Sequence, residues 1–398
     1  MTQPATDQPQ NGITQMPEIQ QLVQQAVDDL IASGAERGLQ IAAYQHGRPL
    51  VDVVGGLADV RTGRAVTPET LFHVTSTGKG LASSVVHVLV ERDLFSYDTP
   101  LAELWPEFGA HGKEKITVRH VLTHTAGLPA VPADTTVEDL CDWDKMCAVL
   151  ADATPWWEPG TKTGYHPQTF GYLVGELVRR ATGRSISEVM RREVAEPLGL
   201  ANALYFAVPA SELPRVAHHE EPEGGIELTP EMLASLAEQF PFFKVVDGWT
   251  AAPPAAMPSA AYCNREDVLQ SEIPAGAVMT ARGCALLYSA LLGEVDGVRL
   301  VSAERLREAT EVAVSGTDET TGFPTARGLG WDIGFQAPLD GPTVFGMAGS
   351  GGTAAYADTA TGLSIALAKN TVTAGDYTTF LDLCRLITEA ATAYVNGG

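Results

Sequence analysis

The chain has 398 residues, of which 45% are hydrophobic and 19% are charged, and its formal net charge is −23. This is the composition of a globular protein with enough residues for two lobes. A surface of that charge repels phosphate backbones and anionic lipids, so we expect no nucleic-acid and no membrane partner.

The N-terminal third of the sequence predicts a leader, a helix and a hairpin. Residues 1–16 are polar and lack the basic and apolar regions of a signal peptide, so we predict a disordered leader. Helical spacing of apolar residues follows over 17–34. An alternating stretch then turns at His46-Gly47, which predicts an antiparallel hairpin. The next helical pattern begins at Ser76.

The rest of the chain predicts two lobes. Residues 97–299 read as a helical domain broken by Pro and Gly, with a looser segment at about 205–262 that we expect to be a loop or lid. A strand pattern then returns, and a final helix begins at Asp376. The two ends, 17–96 and 300–398, are expected to form one sheet domain, with a site in the cleft between the domains.

Cysteine and histidine spacing argues against disulfides and metals. The five cysteines are scattered without CxxC pairs, which is typical of reduced thiols in a cytoplasmic protein. His120 and His124 are four residues apart, but the glutamate of a zinc protease is missing between them. We expect this stretch to be a packed turn, and we expect no metal and no cofactor.

The segment "VTSTGKG" places Ser76 three residues before Lys79 at the start of a predicted helix. There the helix dipole favours negative charge, and residues at i and i+3 share a face. A lysine in a dry cleft can lose its proton near neutral pH and act as a base. The alternative interpretation is that Ser76 only caps the helix, because Ser-x-x-Lys also arises by chance.

A second chemically suggestive residue is Tyr165, which lies in a Gly- and Pro-bounded loop before a predicted helix. A phenol near Ser76 could accept the serine proton as phenolate if an ammonium group lowers its pKa. Alternatively, Tyr165 is a structural tyrosine like most others. Its importance rests on its occurrence together with Ser-x-x-Lys.

Five segments together resemble the serine β-lactamase and penicillin-binding-protein superfamily, nearest to family VIII carboxylesterases and lovastatin-type acyltransferases. They are "VTSTGKG", "VLTHTAGLP", "EPGTKTGYHPQTFGYLVGELV", "EPLGL" and "FGMAGSGGTAAYADTATGL", in consistent order from about residue 20 to 395. The resemblance implies an α+β fold of the β-lactamase/transpeptidase type, with an antiparallel sheet flanked by the N- and C-terminal helices, plus an all-helical domain. By motif match, it implies Ser76 as the acylated nucleophile, Lys79 as its partner and Tyr165 as general base and acid.

Two motif positions depart from the superfamily. Pro167 stands where the Tyr-x-Asn triplet has an amide, and Met347 replaces the cation of the third motif. A thioether cannot anchor a β-lactam or peptide carboxylate, so the changes favour a neutral ester or thioester. An oxyanion hole built from the backbone N–H groups of Ser76 and Ser350 survives such replacements.

Several residues are candidates for the substrate wall, although core packing explains most aromatic side chains equally well. We expect the substrate to contact Trp249, Tyr262, Met347 and Gly349. Further aromatic candidates for an acyl pocket are Trp156, Trp157, Phe242, Phe243 and Trp331.

The sequence therefore predicts a serine hydrolase that cleaves carboxylic esters, or transfers their acyl group, through an acyl-serine. Its partner is expected to be a small-molecule ester or thioester, and the oligomeric state is left open. One alternative is a β-lactamase or a D-Ala-D-Ala-type peptidase. Another is a non-catalytic binding protein on the same scaffold.

Overall fold

A computed structural model describes residues 12–224 and 229–396 of the chain. In chain order the strands are β1 Gly38–Gln45, β2 Arg48–Asp59, β3 Arg64–Ala65, β4 Phe72–Val74, β5 Val131–Pro132, β6 Leu204–Tyr205, β7 Val245–Val246, β8 Trp249–Thr250, β9 Ala277–Met279, β10 Val314–Thr317, β11 Pro324–Arg327, β12 Asp332–Ile333, β13 Val344–Gly349, β14 Thr353–Asp358 and β15 Leu363–Lys369. The α-helices are α1 Gly12–Ala32, α2 Thr77–Glu91, α3 Leu101–Leu104, α4 Val118–Leu122, α5 Val137–Cys141, α6 Trp143–Asp152, α7 Thr169–Thr182, α8 Ile186–Val189, α9 Pro230–Gln239, α10 Ala260–Cys263, α11 Glu266–Gln270, α12 Ala281–Leu292, α13 Ala303–Thr310 and α14 Thr378–Asn396.

The main sheet is antiparallel and has the strand order β10-β11-β12-β13-β14-β15-β1-β2-β3. Its centre joins the two ends of the chain, because β1 pairs with β15 in a register that sets Leu39 opposite Lys369. The predicted hairpin is confirmed: β1 and β2 turn at His46 and Gly47, both of which have positive φ. Two such residues give a turn whose twist matches that of the strands.

Helices cover both faces of this sheet. Helices α1 and α14 pack on one face over an apolar cluster that includes Val23, Val27 and Phe380. Helix α12 packs on β1 and β15 from the other face, and α2 packs there on β13. Helix α2 also contacts α7 of the helical part, and its buried residues belong to a core shared by both parts. The α+β arrangement with flanking N- and C-terminal helices is therefore confirmed.

Three predicted boundaries differ from the structure. The boundary at residue 300 assigns α12 to the helical domain, yet its apolar residues are buried against the sheet. Helix α1 begins at Gly12, within the stretch predicted to be a leader, and residues 1–11 lie outside the described part. The segment 205–262 is not a plain loop, because it contains α9 and a β7–β8 hairpin that pairs with β5.

Among the described residues, no helix combines the length and the hydropathy that crossing a bilayer requires.

Candidate active site

Ser76 lies directly before α2, at the helix end whose first N–H groups have no acceptor one helical turn earlier. Its backbone is already helical, with φ −61° and ψ −12°, and its side chain makes no capping hydrogen bond. The sequence left open whether this serine only caps a helix. The structure answers that its hydroxyl is not used for capping and is available to Lys79.

Lys79 is almost completely buried, and its Nζ lies 3.0 Å from the Ser76 hydroxyl oxygen. The same Nζ donates to the carbonyl oxygen of Ala275 at 3.0 Å. Burial lowers the pKa of Lys79 to about 7, and the charge of Asp332 only partly opposes this effect. A lysine with such a pKa can accept the serine proton near neutral pH.

Tyr165 forms the third side of this group, as the Lys79 Nζ lies 5.2 Å from the centre of its ring. Burial raises the pKa of the Tyr165 hydroxyl, while hydrogen bonding to Ser76 has the opposite, smaller effect. The predicted phenolate is therefore disfavoured. Burial favours the protonated phenol at Tyr165 and the neutral amine at Lys79.

Asp318 and Arg327, which the sequence did not indicate, hold the backbone of Tyr165. The Tyr165 N–H donates to both carboxylate oxygens of Asp318, at 3.1 and 2.9 Å. Arg327 donates to the same carboxylate at 2.7 Å and to the Thr163 hydroxyl at 2.8 Å. Asp318 and Arg327 are both buried, so this ion pair is a rigid support for the tyrosine.

The histidines of the "HTAG" turn have separate structural contacts. The ring of His124 lies 5.0 Å from the ring of Tyr165, and its Nδ1 accepts the backbone N–H of His166 at 3.1 Å. His120 Nδ1 accepts the N–H of Thr117, which caps α4. The turn therefore packs behind Tyr165.

Threonine hydroxyls connect the start of α2 to the turn between β13 and β14. Thr75 Oγ1 accepts the N–H of Gly351 at 3.2 Å and lies 3.4 Å from the Ser350 hydroxyl oxygen. Two residues further along the chain, the Thr77 hydroxyl lies 2.9 Å from that of Thr353. These contacts fix the positions of Ser76 and Ser350, whose N–H groups are the predicted oxyanion donors.

The sequence predicts that Gly349 contacts the substrate, and this prediction is wrong. Gly349 belongs instead to the connection between α2 and the β13–β14 turn. It is absent from the cavity lining. A Cβ atom at this position would lie 2.6–2.7 Å from the hydroxyls of Thr75, Thr77 and Thr353. Only glycine allows this close approach.

Ser76, Lys79 and Tyr165 open onto a cavity of about 420 Å³. Of the predicted wall, Met347 and Tyr262 line the cavity, as do Phe242, Phe243, Ser350 and Pro167. Trp249 does not: it lies in β8 opposite Pro132 and Val246, and its neighbours Ala251 and Ala252 reach the cavity instead. Trp156, Trp157 and Trp331 are also absent from the lining.

Further lining residues were not indicated by the sequence. They include His73, Arg327, Asp332, Phe335 and Tyr377. Helices, sheet and the 229–258 segment each contribute to the cavity, so no local pattern marks these residues.

The fold is that of the β-lactamase family, to which the chain belongs. The Beta-lactamase family model matches residues 20–382. The curated "Esterase/beta-lactamase LipL" of Mycobacterium tuberculosis is 33% identical over 369 residues, covering 89% of this chain and 82% of the relative.

Solved structures show the same fold. A family VIII carboxylesterase crystal structure has a TM-score of 0.82 at 32% identity and covers 94% of this chain and 97% of the other. A penicillin-binding-protein homolog from Caulobacter crescentus has a TM-score of 0.79 at 30% identity, covering 96% and 98%.

Proposed function

We propose that the protein is a serine hydrolase that cleaves carboxylic esters through an acyl-serine intermediate. One observation carries the proposal: the Ser76 hydroxyl is not used for capping and lies 3.0 Å from the Nζ of Lys79, a buried lysine whose pKa is about 7. The names of the relatives LipL and the family VIII carboxylesterase support the same activity.

In the acylation step, Ser76 Oγ forms a bond to the ester carbonyl carbon while its proton passes to neutral Lys79. The N–H groups of Ser76 and Ser350 stabilise the negative oxygen of the tetrahedral intermediate. The bond between carbon and alcohol oxygen then breaks. Tyr165 gives its proton to the departing alcohol and is reprotonated by the Lys79 ammonium.

Water, activated by the same lysine, then attacks the acyl-serine and releases the acid. An alcohol that reaches the cavity before water would take the acyl group in the same way, so acyl transfer is a proposed side reaction. The substrate is a small ester or thioester, and no nucleic acid is involved.

The proposed substrate is neutral around its reacting carbonyl because Met347 and Pro167 line the cavity where a cation and an amide would hold a β-lactam. We also propose a cytoplasmic location. All five cysteines are free in the structure, and four of them are buried.

The test is incubation of the protein with p-nitrophenyl butyrate, followed by intact mass spectrometry after rapid quenching. We expect turnover and a butyryl adduct that peptide mapping places on Ser76. Ser76→Ala is expected to lose both, whereas Ser33→Ala, which changes an exposed serine of the α1–β1 connection, keeps both. A wild type that shows neither turnover nor an adduct, or a Ser76→Ala variant as fast as wild type, refutes the proposal.

The same preparation separates the alternatives. Turnover of nitrocefin much faster than of the ester would indicate a β-lactamase. A correctly folded protein that neither hydrolyses these compounds nor reacts with a fluorophosphonate probe would be a binding protein.

A further inference from the structure

Asp332 is a carboxylate in the wall of the catalytic cavity to which no role has been assigned. It lines the same space as Ser76, Lys79 and Tyr165, and 32% of its side chain is exposed. Strand β12 sets it between Arg327 of β11 and Gly346 of β13. Its Oδ1 lies 3.3 Å from the Nε of Arg327.

Arg327 does not cancel the charge of Asp332, because the guanidinium is shared. Its Nη2 already pairs with Asp318 at 2.7 Å, so one positive group faces two carboxylates. Burial raises the pKa of Asp332, and the Arg327 guanidinium opposes this effect. With both carboxylates ionised at pH 8, the cluster of Asp318, Arg327 and Asp332 carries one net negative charge.

The other ionisable groups of the cavity wall do not offset this charge at pH 8. Burial lowers the pKa of Lys79 to about 7 and that of His73 to about 3, so both are mainly neutral. Burial raises the pKa of Tyr165, Tyr262 and Tyr377, so the phenols are neutral too. Among the described lining residues, no positive group is free to meet a substrate carboxylate.

Two aromatic rings line the same cavity as Asp332. Phe335 and Tyr377 line the cavity with their ring centres 5.1 Å apart. Burial and, after it, the charge of Asp332 raise the pKa of the Tyr377 hydroxyl to about 12. The faces of aromatic rings attract ammonium groups and do not attract anions.

We propose that Asp332, with Phe335 and Tyr377, makes the cavity selective for substrate charge: it favours esters that carry an ammonium group and disfavours esters that carry a carboxylate. The inference rests on the proposed function, since it concerns the substrate class of the same serine. Met347 removes the cation that would bind a substrate anion. Asp332 adds to this a preference for substrates that carry a positive charge.

Three butyrate esters test the proposal at pH 8. They are the 2-(trimethylammonio)ethyl ester, its neutral isostere the 3,3-dimethylbutyl ester, and the 3-carboxypropyl ester. In wild type we expect kcat/KM to rank cationic, neutral, anionic. In Asp332→Asn we expect the cationic-to-neutral ratio to fall about fivefold, in line with a partly exposed charge pair. A ratio between two esters cancels any change in the protonation of Lys79.

The control is Asp93→Asn, which removes the same charge from an exposed site past the far end of α2 and keeps a residue suited to its positive φ. It should leave the ratio unchanged. If the ratio in Asp332→Asn equals that of wild type, or if Asp93→Asn lowers it equally, the inference is overturned. Failure of the wild type to hydrolyse p-nitrophenyl butyrate would instead refute the proposed function.

A measurement on the wild type covers the case in which Asp332→Asn does not fold. Choline and 3,3-dimethylbutan-1-ol, the two alcohol products, are compared as inhibitors of hydrolysis of the neutral ester. The inference requires choline to inhibit at the lower concentration. Equal or weaker inhibition by choline contradicts it.

Discussion

Lys79 and Lys369 are two buried lysines in different parts of the molecule, and their surroundings differ in one respect. Lys369, at the end of β15, lies 2.6 Å from the Glu36 carboxylate and also donates to the Thr373 hydroxyl. Lys79 donates to the neutral oxygens of Ser76 and Ala275.

The difference shows that a carboxylate in contact with a buried ammonium compensates the hydration that the ammonium loses. At Lys369 the paired charge compensates the lost hydration, and the lysine ties the sheet to the segment before β1. At Lys79 no such contact compensates the burial, so the neutral amine is favoured and the side chain can exchange a proton. The same residue type is structural in one place and chemically reactive in the other.

The largest effect is expected from Lys79→Met. Removing the base should lower kcat/KM for p-nitrophenyl butyrate on the order of 10³-fold. The melting temperature should stay close to that of wild type, because an uncompensated buried amine is replaced by a thioether. Esterase kinetics and a thermal melt on the same sample measure both. A variant that keeps activity would end the assignment of Lys79 as base.

Lys369→Met should lower the stability of the protein and leave its activity unchanged, which is the opposite of the result expected for Lys79→Met. It leaves Glu36 buried without its cation, which costs about 3 kcal/mol of unfolding free energy. The kcat of the folded protein should be unchanged, since Lys369 is absent from the cavity lining. Urea unfolding and kinetics below the transition check this. The double variant Lys369→Met with Glu36→Gln should recover much of the loss, and equal instability of the single and double variants would contradict the explanation.

Asp318→Asn tests whether the hydrogen bonds from the Tyr165 N–H to Asp318 are needed for catalysis. Asparagine retains one acceptor but weakens the double hydrogen bond to the Tyr165 N–H and the ion pair with Arg327. We expect kcat to fall on the order of 30-fold with little change in KM, because a misplaced proton donor affects the transition state more than binding. A change confined to KM would show that Asp318 does not position Tyr165.

The pH profile gives the smallest effect. Only neutral Lys79 accepts the serine proton, so activity should rise with pH through an apparent pKa of about 7. Between pH 8 and pH 6, kcat/KM should fall about tenfold while the protein stays folded by circular dichroism. A flat profile over this range would mean that Lys79 does not have to lose a proton.

Some features of the molecule follow from local sequence alone. The His46-Gly47 turn is local because two positive-φ residues between alternating strands define a hairpin. The pairing of Ser76 with Lys79 is local as well, since residues at i and i+3 of one helical turn always face each other. These parts of the fold and site were therefore predictable, together with the motif segments that carry the family resemblance.

Other features depend on contacts between distant segments. Asp318 and Tyr165 are 153 residues apart in the chain, and no local sequence pattern near either residue predicts their contact. Gly349 matched a motif that suggested substrate contact, yet its missing Cβ makes room for three threonines. Trp249 had the right chemistry for a cavity wall, but strand pairing assigns it elsewhere.

By itself, the sequence determined which residues are candidates for the chemistry and which turns and helices present them, because those relations are set by the geometry of a few consecutive residues. Only the tertiary structure decided the protonation states, the support of Tyr165 and the charge of the cavity. Each of these depends on burial and on charged groups that come together when separate parts of the chain pack, and neither can be read from neighbours in sequence.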